Sequence, residues 1–197
     1  FLMNGTFVIR AAVFVLLLLL PQLVSAQRRS YPPEFADARA ETYKSVDDVE
    51  LKLWIFEPTG FDTSDRRPAL ALFFGGGGRG GAPGLFESHG RYLAEQGMVA
   101  IKSEYRVLSR HGTKAIQCVQ DGKSAIRWIR SNADRLGVDP DRIVAAGGSA
   151  GGHVAACTAL IPGLDEPDEP GEISSVPNAL ALFNPALMLA PIDGVTA

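Results

Sequence analysis

Residues 147–153 of the chain read Gly-Gly-Ser-Ala-Gly-Gly-His and contain the pattern Gly-x-Ser-x-Gly, with Ser149 at its centre. A largely apolar run, 142–146, precedes this stretch, and a run of small residues, 154–160, follows it. This order predicts a strand, a sharp turn and a helix, which is the setting of a nucleophile elbow, where a serine hydroxyl is exposed on a strained turn. The alternative is a glycine-rich connection in which Ser149 merely caps the helix. Other parts of the chain bear on that choice.

The composition is that of a globular protein. The chain has 197 residues, of which 46% are hydrophobic and 21% are charged, and this length is sufficient for one domain with its own core. The net charge at neutral pH is -3. A mildly acidic chain without basic runs lacks the positive surface that nucleic-acid binding requires, so the sequence excludes nucleic acid as a partner.

The first 26 residues are predicted to be a signal peptide. Arg10 supplies a positive charge, 11–20 is an unbroken apolar run, and 24–26 is a Val-Ser-Ala cleavage site of small residues. The apolar run is too short to span a bilayer core, which needs roughly 20 residues. We therefore expect a secreted or periplasmic protein that has no membrane attachment after cleavage.

Cys118 and Cys157 are the only cysteines in the chain. In an oxidising compartment they are able to form a disulfide, but two buried, unpaired thiols fit the sequence equally well. The sequence leaves both states open.

The remainder is predicted to consist of an exposed, polar lead-in, 27–40, and one domain, 41–197. Strands are indicated by alternating or wholly apolar segments, and helices by apolar residues every three or four positions. The predicted strands are 41–45, 49–56, 69–74, one that begins with 98–101 and ends near 104–106, 142–146 and 178–183. The predicted helices are 85–96, 113–135 and 154–160. This order indicates the α/β class, with a mostly parallel sheet, helices on both of its faces and a hairpin at one edge.

Two of the helices carry predictions about their buried faces. In the helix 85–96, four residues at helical spacing are predicted to form the stripe that faces the core: Leu85, His89, Tyr92 and Leu93. In the helix 113–135, three arginines lie off the apolar stripe and are predicted to face solvent: Arg127, Arg130 and Arg135.

A glycine run, Gly75-Gly76-Gly77-Gly78-Arg79-Gly80-Gly81, comes directly after the strand 69–74. Such a run is commonly a flexible loop. A phosphate cradle does not fit, because the spacing G-x-x-x-x-G-K-[ST] is absent and the glycines do not open a helix. A third interpretation is an oxyanion loop, whose bare backbone lets N–H groups approach a substrate oxygen. The loop and Ser149 follow parallel strands and would meet at one edge of the sheet.

Three segments occur in order along the chain: Phe74-Gly75-Gly76-Gly77-Gly78, Glu104-Tyr105-Arg106, and Asp139-Pro140-Asp141-Arg142-Ile143 leading into the elbow. Together they resemble the α/β-hydrolase superfamily, and within it the esterases related to hormone-sensitive lipase and to bacterial acetyl-xylan and feruloyl esterase-like enzymes. That group has H-G-G-G-W at the first segment and usually D-Y-R at the second. The resemblance runs from about Glu41 to the end of the chain and implies an α/β-hydrolase fold that is incomplete at its C-terminus.

The resemblance implies roles for four residues. Ser149 would be the nucleophile that attacks an ester carbonyl, and the backbone N–H groups of Gly76, Gly77 and Ala150 would form the oxyanion hole. Loss of one such donor typically costs roughly 3 kcal/mol of transition-state stabilisation. The chain departs from the family at Phe74, where the family has a histidine that supports the loop.

The acid and the base of the family's triad are missing after Ser149, although the fold requires the order serine, acid, histidine. His153 is too close to the serine in sequence and is expected to pack or to cap, while His89, expected to be half-buried in its helix, and the loop residue His111 precede the serine. Three aspartates follow Ser149 and are interpreted as solvated loop residues: Asp165, Asp168 and Asp193. The resemblance therefore implies an acid and a base beyond residue 197, without which this fragment would be inactive.

The intact protein is expected to be an exported serine esterase that removes short acyl groups, such as acetyl, through an acyl-enzyme on Ser149. By family resemblance its substrate would be a small-molecule or carbohydrate ester, including plant polysaccharide. The sequence implies neither a metal nor an organic cofactor. Two alternatives stay open, a serine peptidase of the same fold and a hydrolase-fold binding protein that lacks a base. The oligomeric state is not predicted.

Overall fold

A six-stranded sheet organises the computed structural model, which describes residues 31–169 and 171–187; the predicted signal peptide and Asp193 lie outside these residues. The strands are β1 (Arg39–Val46), β2 (Val49–Phe56), β3 (Arg67–Phe73), β4 (Val99–Ser103), β5 (Val138–Ser149) and β6 (Ala179–Pro185). The helices are α1 (Glu87–Glu95), α2 (Leu108–His111), α3 (Ala115–Ser131) and α4 (Ala150–Leu160).

The sheet is mostly parallel, and its order is β1-β2-β4-β3-β5-β6. Strands β4, β3, β5 and β6 run parallel, while β1 and β2 form the predicted antiparallel hairpin at one edge. Because β3 lies at the centre, its residues 69–73 are all buried, and this explains why that stretch contains no polar residue. The predicted α/β fold class is confirmed.

Helices cover both faces of the sheet. Alternate residues of β3 point in opposite directions, so Ala71 packs in a cluster with α3 and α4, whereas Leu72 packs in a cluster with Leu93 of α1. Helix α3 contributes the side chains of Val119, Ile126 and Ile129 to the first cluster, in agreement with the predicted stripe. Among the described residues, none of the helices combines the length and the apolar composition needed to cross a bilayer.

The predicted buried face of α1 is wrong at three of its four positions, and only Leu93 packs against the core. Leu85 and Tyr92 are 49% and 60% exposed, and His89 is exposed as well. The buried residues of α1 are Gly90 and Ala94. A Cβ at Gly90 would lie 3.4 Å from the ring of Phe56, so the smallest residues of the helix are the ones that face the sheet. Close approach of the helix decides the buried face here, and the hydrophobic pattern does not show it.

Two of the three arginines predicted to face solvent are instead used inside the fold. Arg127 is 6% exposed and binds the carboxylates of Asp165 and Glu169. Arg130 is half-buried, and its guanidinium donates to the carbonyl oxygens of Pro140 at 3.1 Å and Val176 at 2.9 Å. Only Arg135 is exposed as expected. The guanidinium groups of Arg127 and Arg130 therefore bind the acidic segment between α4 and β6 to helix α3.

Asp165 is accordingly not a solvated loop residue. Besides Arg127, its carboxylate accepts a hydrogen bond from the Ser175 hydroxyl at 2.6 Å and lies 3.4 Å from Lys123 Nζ. These donors lower the pKa of Asp165 although burial alone would raise it. The carboxylate is occupied by structural contacts, so it is not available as a catalytic acid.

The lead-in, as far as the structure describes it, contains one buried anchor. Phe35 packs against Trp54 and Phe56 of β2, with ring centroids 5.9 and 5.6 Å apart. The two cysteines are free thiols: Cys118 is buried and Cys157 is half-buried.

Candidate active site

Ser149 lies at the junction of β5 and α4, in a backbone conformation that few non-glycine residues adopt. Its φ is 54° and its ψ is -120°. Such a conformation costs on the order of 1–3 kcal/mol and persists only where surrounding structure enforces it. The residue is exposed, and its side chain makes no capping hydrogen bond to the helix that it precedes. The interpretation of Ser149 as a helix cap therefore does not fit the structure.

The flanking glycines enforce this turn because no side chain fits beside it. A Cβ at Gly151 would lie 2.1 Å from the carbonyl oxygen of Phe73, and one at Gly147 would lie 2.4 Å from the carbonyl carbon of Gly151. Both distances are well below van der Waals contact. The Gly-x-Ser-x-Gly pattern is therefore a packing requirement between the end of β3 and the start of α4.

The glycine run and Ser149 lie next to each other at the carboxyl ends of the parallel strands β3 and β5, as the order of strands predicts. A Cβ at Gly75 would lie 3.4 Å from the Cβ of Ser149 and 3.0 Å from the carbonyl oxygen of Gly148. After Gly75 the loop turns through left-handed conformations, with φ of +143° at Gly76 and +66° at Gly77. Only glycine adopts this succession without strain.

The predicted oxyanion donors have no competing acceptor among residues 31–169 and 171–187. Neither Gly76 nor Gly77 donates its N–H to another group within the described part of the chain. Ala150 is the first residue of α4, so its N–H has no intrahelical acceptor. The assignment of Gly76, Gly77 and Ala150 as an oxyanion hole stays a prediction, and their positions are compatible with it.

A cavity of about 60 Å³ opens beside these donors. Its walls include Gly77, Ala150, Tyr105, Cys118, His153 and Val154. One enclosed water needs about 10–15 Å³ on this measure, so the cavity has room for several waters or for a short aliphatic chain. Few polar groups line it, which favours an apolar occupant.

Cys118 forms part of this apolar wall and is not poised as a nucleophile. Its thiol donates a hydrogen bond to the carbonyl oxygen of Arg106 at 3.1 Å. Burial raises the pKa of the Cys118 thiol to about 11, so the side chain is neutral at physiological pH. Sequence reasoning left Cys118 open between a disulfide and a buried, unpaired thiol, and it missed the place of this residue beside the site.

Phe74 occupies the position of the family's supporting histidine and is held by Tyr105. Their rings are stacked, with centroids 4.1 Å apart and planes 11° from parallel. The Tyr105 hydroxyl donates to the carbonyl oxygen of Phe74, and burial raises the pKa of Tyr105. Stacking and a backbone hydrogen bond thus hold the residue from which the glycine run starts.

None of the three histidines is placed to take the proton of the Ser149 hydroxyl. His153 lines the cavity and places Nε2 3.5 Å from the Sγ of Cys157. His111 Nδ1 accepts the backbone N–H of Val107 at 3.0 Å, and the ring of His89 contacts the ring of Phe86. Within the described residues none of them hydrogen-bonds to Ser149. The place of His153 at the cavity follows from its i,i+4 spacing from Ser149, a signal that sequence reasoning set aside.

A search of residues 31–169 and 171–187 finds no group of three or more His, Cys, Asp or Glu side chains arranged to hold a metal ion. The site as described consists of a serine, backbone N–H groups and an apolar cavity.

Comparison with known proteins agrees with this arrangement. Residues 60–178 match the BD-FAE protein family. Carboxylesterase NlhH of Mycobacterium tuberculosis is 30% identical over 136 residues, which are 66% of this chain and 41% of that protein. Among solved structures, the apo form of esterase 2 from Thermogutta terrifontis is 51% identical with a TM-score of 0.81, and the match covers 85% of this chain and 62% of that one.

The butyrate-bound form of the same Thermogutta terrifontis esterase is also 51% identical, with a TM-score of 0.81, and the match covers 86% of this chain and 62% of that one. The chain spans less than half the length of the curated relatives that it matches first. It therefore corresponds to part of each of these proteins. The residues that match the family, 60–178, include the elbow and the glycine run.

Proposed function

Because the chain belongs to the BD-FAE family of the α/β-hydrolase superfamily, we propose that the whole protein is a serine carboxylesterase acting on short-chain esters. The observation that carries the proposal is the state of Ser149. It is exposed, held at a φ of 54°, free of a capping hydrogen bond and 3.4 Å from the place of a Cβ at Gly75. A serine that caps a helix needs none of these features, whereas a serine that attacks a carbonyl beside an oxyanion loop needs all of them.

In the proposed reaction, Ser149 Oγ attacks the carbonyl carbon of the ester while a histidine takes its proton. The N–H groups of Gly76, Gly77 and Ala150 hold the negative oxygen of the tetrahedral intermediate. The alcohol leaves with that proton, and water then attacks the acyl group on Ser149 to release the acid. We propose, from the order of residues in the family, that the histidine and its orienting carboxylate follow the serine, beyond residue 197.

The acyl group is proposed to be short because the cavity beside the donors holds about 60 Å³ and has few polar atoms. The Thermogutta terrifontis esterase is described as bound to propionate and to butyrate in separate structures, which supports the same size range. We extend the proposal to acetyl groups on plant polysaccharide, as the resemblance to acetyl-xylan and feruloyl esterase-like enzymes implies. Release of acetate from acetylated xylan by the purified protein tests that extension.

The test of the main proposal uses the complete gene product and its Ser149→Ala variant. We expect turnover of p-nitrophenyl acetate by the parent protein, no turnover of a peptide p-nitroanilide, and a loss of at least about a thousandfold in kcat for Ser149→Ala. Ser131→Ala, which alters an exposed serine at the end of α3, is the matched control and should keep full activity.

Three results would count against the proposal. Cleavage of the amide at a rate similar to the ester would favour the peptidase alternative. A folded protein that cleaves neither substrate would favour the binding protein without a base. Full activity of Ser149→Ala would remove Ser149 from the mechanism.

Export is proposed from the leader alone. Determination of the N-terminus of the mature protein tests it, with Gln27 as the expected first residue. A mature protein that keeps residues 1–26 would contradict both the cleavage site and the secreted or periplasmic location.

A further inference from the structure

The glycine run, Gly75–Gly81, contains six glycines, and such a chain loses much conformational freedom when it is ordered. An oxyanion hole nevertheless requires N–H groups that stay in place, since its benefit comes from donors that do not have to reorganise. The family's supporting histidine is absent, because Phe74 occupies its position. Contacts elsewhere in the fold must therefore hold this loop in its shape.

Part of the shape comes from the loop itself. The N–H groups of Arg79 and Gly80 both donate to the carbonyl oxygen of Gly76, each at 3.1 Å. A Cβ at Gly81 would lie 2.1 Å from the carbonyl oxygen of Gly75, so the two ends of the loop touch. These contacts close the loop, but the carbonyl groups of Gly78, Arg79 and Gly81 accept no hydrogen bond from within it.

Helix α2 binds those remaining carbonyl groups with three consecutive residues. The backbone N–H of Leu108 donates to Gly78 O at 3.0 Å, and that of Ser109 donates to Arg79 O at 2.8 Å. Nη1 of Arg110 donates to Gly81 O at 2.7 Å. The first two donors are free because the first turn of a helix lacks intrahelical acceptors, and the third is a charge-assisted bond from a side chain.

Arg110 is itself held in position from two sides. The ring of Tyr31 lies over its guanidinium, with the central carbon 4.1 Å from the ring centroid. The short helix is closed by hydrogen bonds from His111 N–H to Val107 O at 2.9 Å and from Val107 N–H to His111 Nδ1 at 3.0 Å. The donor atom that reaches Gly81 therefore has a defined place relative to the loop.

We propose that Arg110 is a positioning residue for the oxyanion loop, acting through Gly81 on the N–H groups of Gly76 and Gly77. This inference rests on the proposed esterase function. Gly81 lies against the carbonyl oxygen of Gly75, and a Cβ at Gly75 would lie 3.4 Å from the Cβ of Ser149, so a shift at Gly81 moves the loop relative to the serine. Misplacement of such donors by about 1 Å typically costs on the order of a hundredfold in rate.

The test measures kcat and KM for p-nitrophenyl acetate with the complete gene product and its Arg110→Ala and Arg110→Lys variants. We expect Arg110→Ala to lower kcat by about 10- to 100-fold with KM within about twofold, and Arg110→Lys to recover part of the loss because it keeps a cationic donor. A trifluoromethyl ketone adds the serine oxygen to give a tetrahedral adduct with a negative oxygen. The affinity of the protein for this analogue should fall in proportion to kcat.

The matched control is Arg135→Ala. Arg135 also stacks on an aromatic ring, with its guanidinium carbon 5.4 Å from the centroid of Trp128, and it forms an ion pair with Glu41 at 2.8 Å. It lies just before the amino-terminal end of β5, whereas the glycine run follows the carboxyl end of the parallel strand β3. Its loss should leave kcat and analogue affinity unchanged, which separates positioning of the loop from general loss of a surface arginine.

Failure of this inference is distinguishable from failure of the proposed function. If paraoxon does not label Ser149 of the parent protein and no ester is cleaved, the proposed function fails. If the parent is active through Ser149 while Arg110→Ala keeps kcat and analogue affinity within about twofold, the role of Arg110 is overturned. Should Arg110→Ala not fold, Arg110→Gln, which keeps a neutral donor and most of the stem, takes its place with the same criteria.

Discussion

Arg106 and Asp121 form a buried ion pair in which Nε and Nη2 of the arginine reach the carboxylate at 2.8 and 2.7 Å. The backbone N–H of Arg106 donates to the same carboxylate at 2.9 Å, and Lys44 Nζ reaches it at 2.7 Å. The pair joins the chain after β4 to α3. Tyr105 precedes Arg106 in the chain, Cys118 lies in the same helix as Asp121, and both line the cavity. The ion pair therefore fixes the distance between the cavity wall that contains Tyr105 and the one that contains Cys118.

Asp121→Asn should therefore be strongly destabilising. The change leaves Arg106 and Lys44 buried with Glu166 as their remaining counter-charge, 3.6 Å from Arg106 Nη2 and 2.6 Å from Lys44 Nζ. Breaking a buried pair in this way typically costs about 3–5 kcal/mol. Urea unfolding of the complete gene product measures the change. Asp134→Asn, an exposed aspartate just beyond α3, is the matched control and should change the unfolding free energy by less than about 0.5 kcal/mol. A loss of under 1 kcal/mol for Asp121→Asn would show that the pair contributes little.

Gly151→Ala should disrupt the elbow. The added Cβ would lie 2.1 Å from the carbonyl oxygen of Phe73, so either β3 or α4 has to move. We expect the free energy of unfolding to fall by more than about 3 kcal/mol, together with loss of paraoxon labelling at Ser149. Gly171→Ala is the control, since a Cβ there meets no atom within 4 Å. Normal labelling of the Gly151 variant would contradict the packing requirement.

Substitution of Cys118 should change acyl-chain preference. Cys118→Ala enlarges the cavity and should favour p-nitrophenyl hexanoate over the acetate, while Cys118→Leu fills it and should favour the acetate, each by about tenfold in the ratio of kcat/KM. Cys157→Ala, which alters the other free thiol, should leave the ratio unchanged. An unaltered ratio in both Cys118 variants would place the acyl group outside this cavity.

Ionisation of the Glu104 carboxyl group should lower the free energy of unfolding as the pH rises. Burial raises its pKa to about 7, outweighing the hydrogen bond from the Lys52 backbone and the attraction of Arg110, and nearby Asp121 raises it further. The folded protein therefore keeps a proton that the unfolded chain, with a pKa near 4.5, releases. Stability from this proton is present below pH 4.5 and is lost as pH rises to about 7.

Glu104→Gln, which keeps an acceptor for the Lys52 N–H, should thus stabilise the protein by about 1–3 kcal/mol at pH 8 and hardly at all at pH 4.5. Thermal or urea unfolding at both pH values measures the difference. Glu95→Gln, on the surface of α1, is the control for loss of one negative charge. A gain that is equal at both pH values would mean that Glu104 does not titrate between them.

Some of the site could be predicted from the sequence because its requirements are local. A Gly-x-Ser-x-Gly pattern between an apolar strand and a run of small residues specifies the turn at Ser149 without knowledge of distant residues. The glycine run after β3 is similarly recognisable, and strand order alone places it at the same edge as the serine. The buried character of β3 follows from its lack of polar residues.

Predictions that depended on which residues meet were less successful. Arg127 seemed solvated because charge and helical spacing say nothing of the carboxylates of Asp165 and Glu169, which lie about forty residues further along the chain. The face of α1 was mistaken because close packing on Phe56 selects Gly90, a residue without hydrophobic character. In both cases a long-range contact overrode a local pattern.

The sequence by itself determined the class of the fold, because the order of apolar segments indicates the order of strands and helices. It also determined the elbow at Ser149 and the position of the glycine run, because single glycines mark the places where no side chain fits. Only the tertiary structure decided that Ser149 leaves its helix uncapped, that Cys118 and His153 share one cavity, and that Arg110 reaches Gly81. Those facts depend on contacts between residues far apart in the chain. Such contacts are set by how strands and helices pack, and no local pattern encodes them.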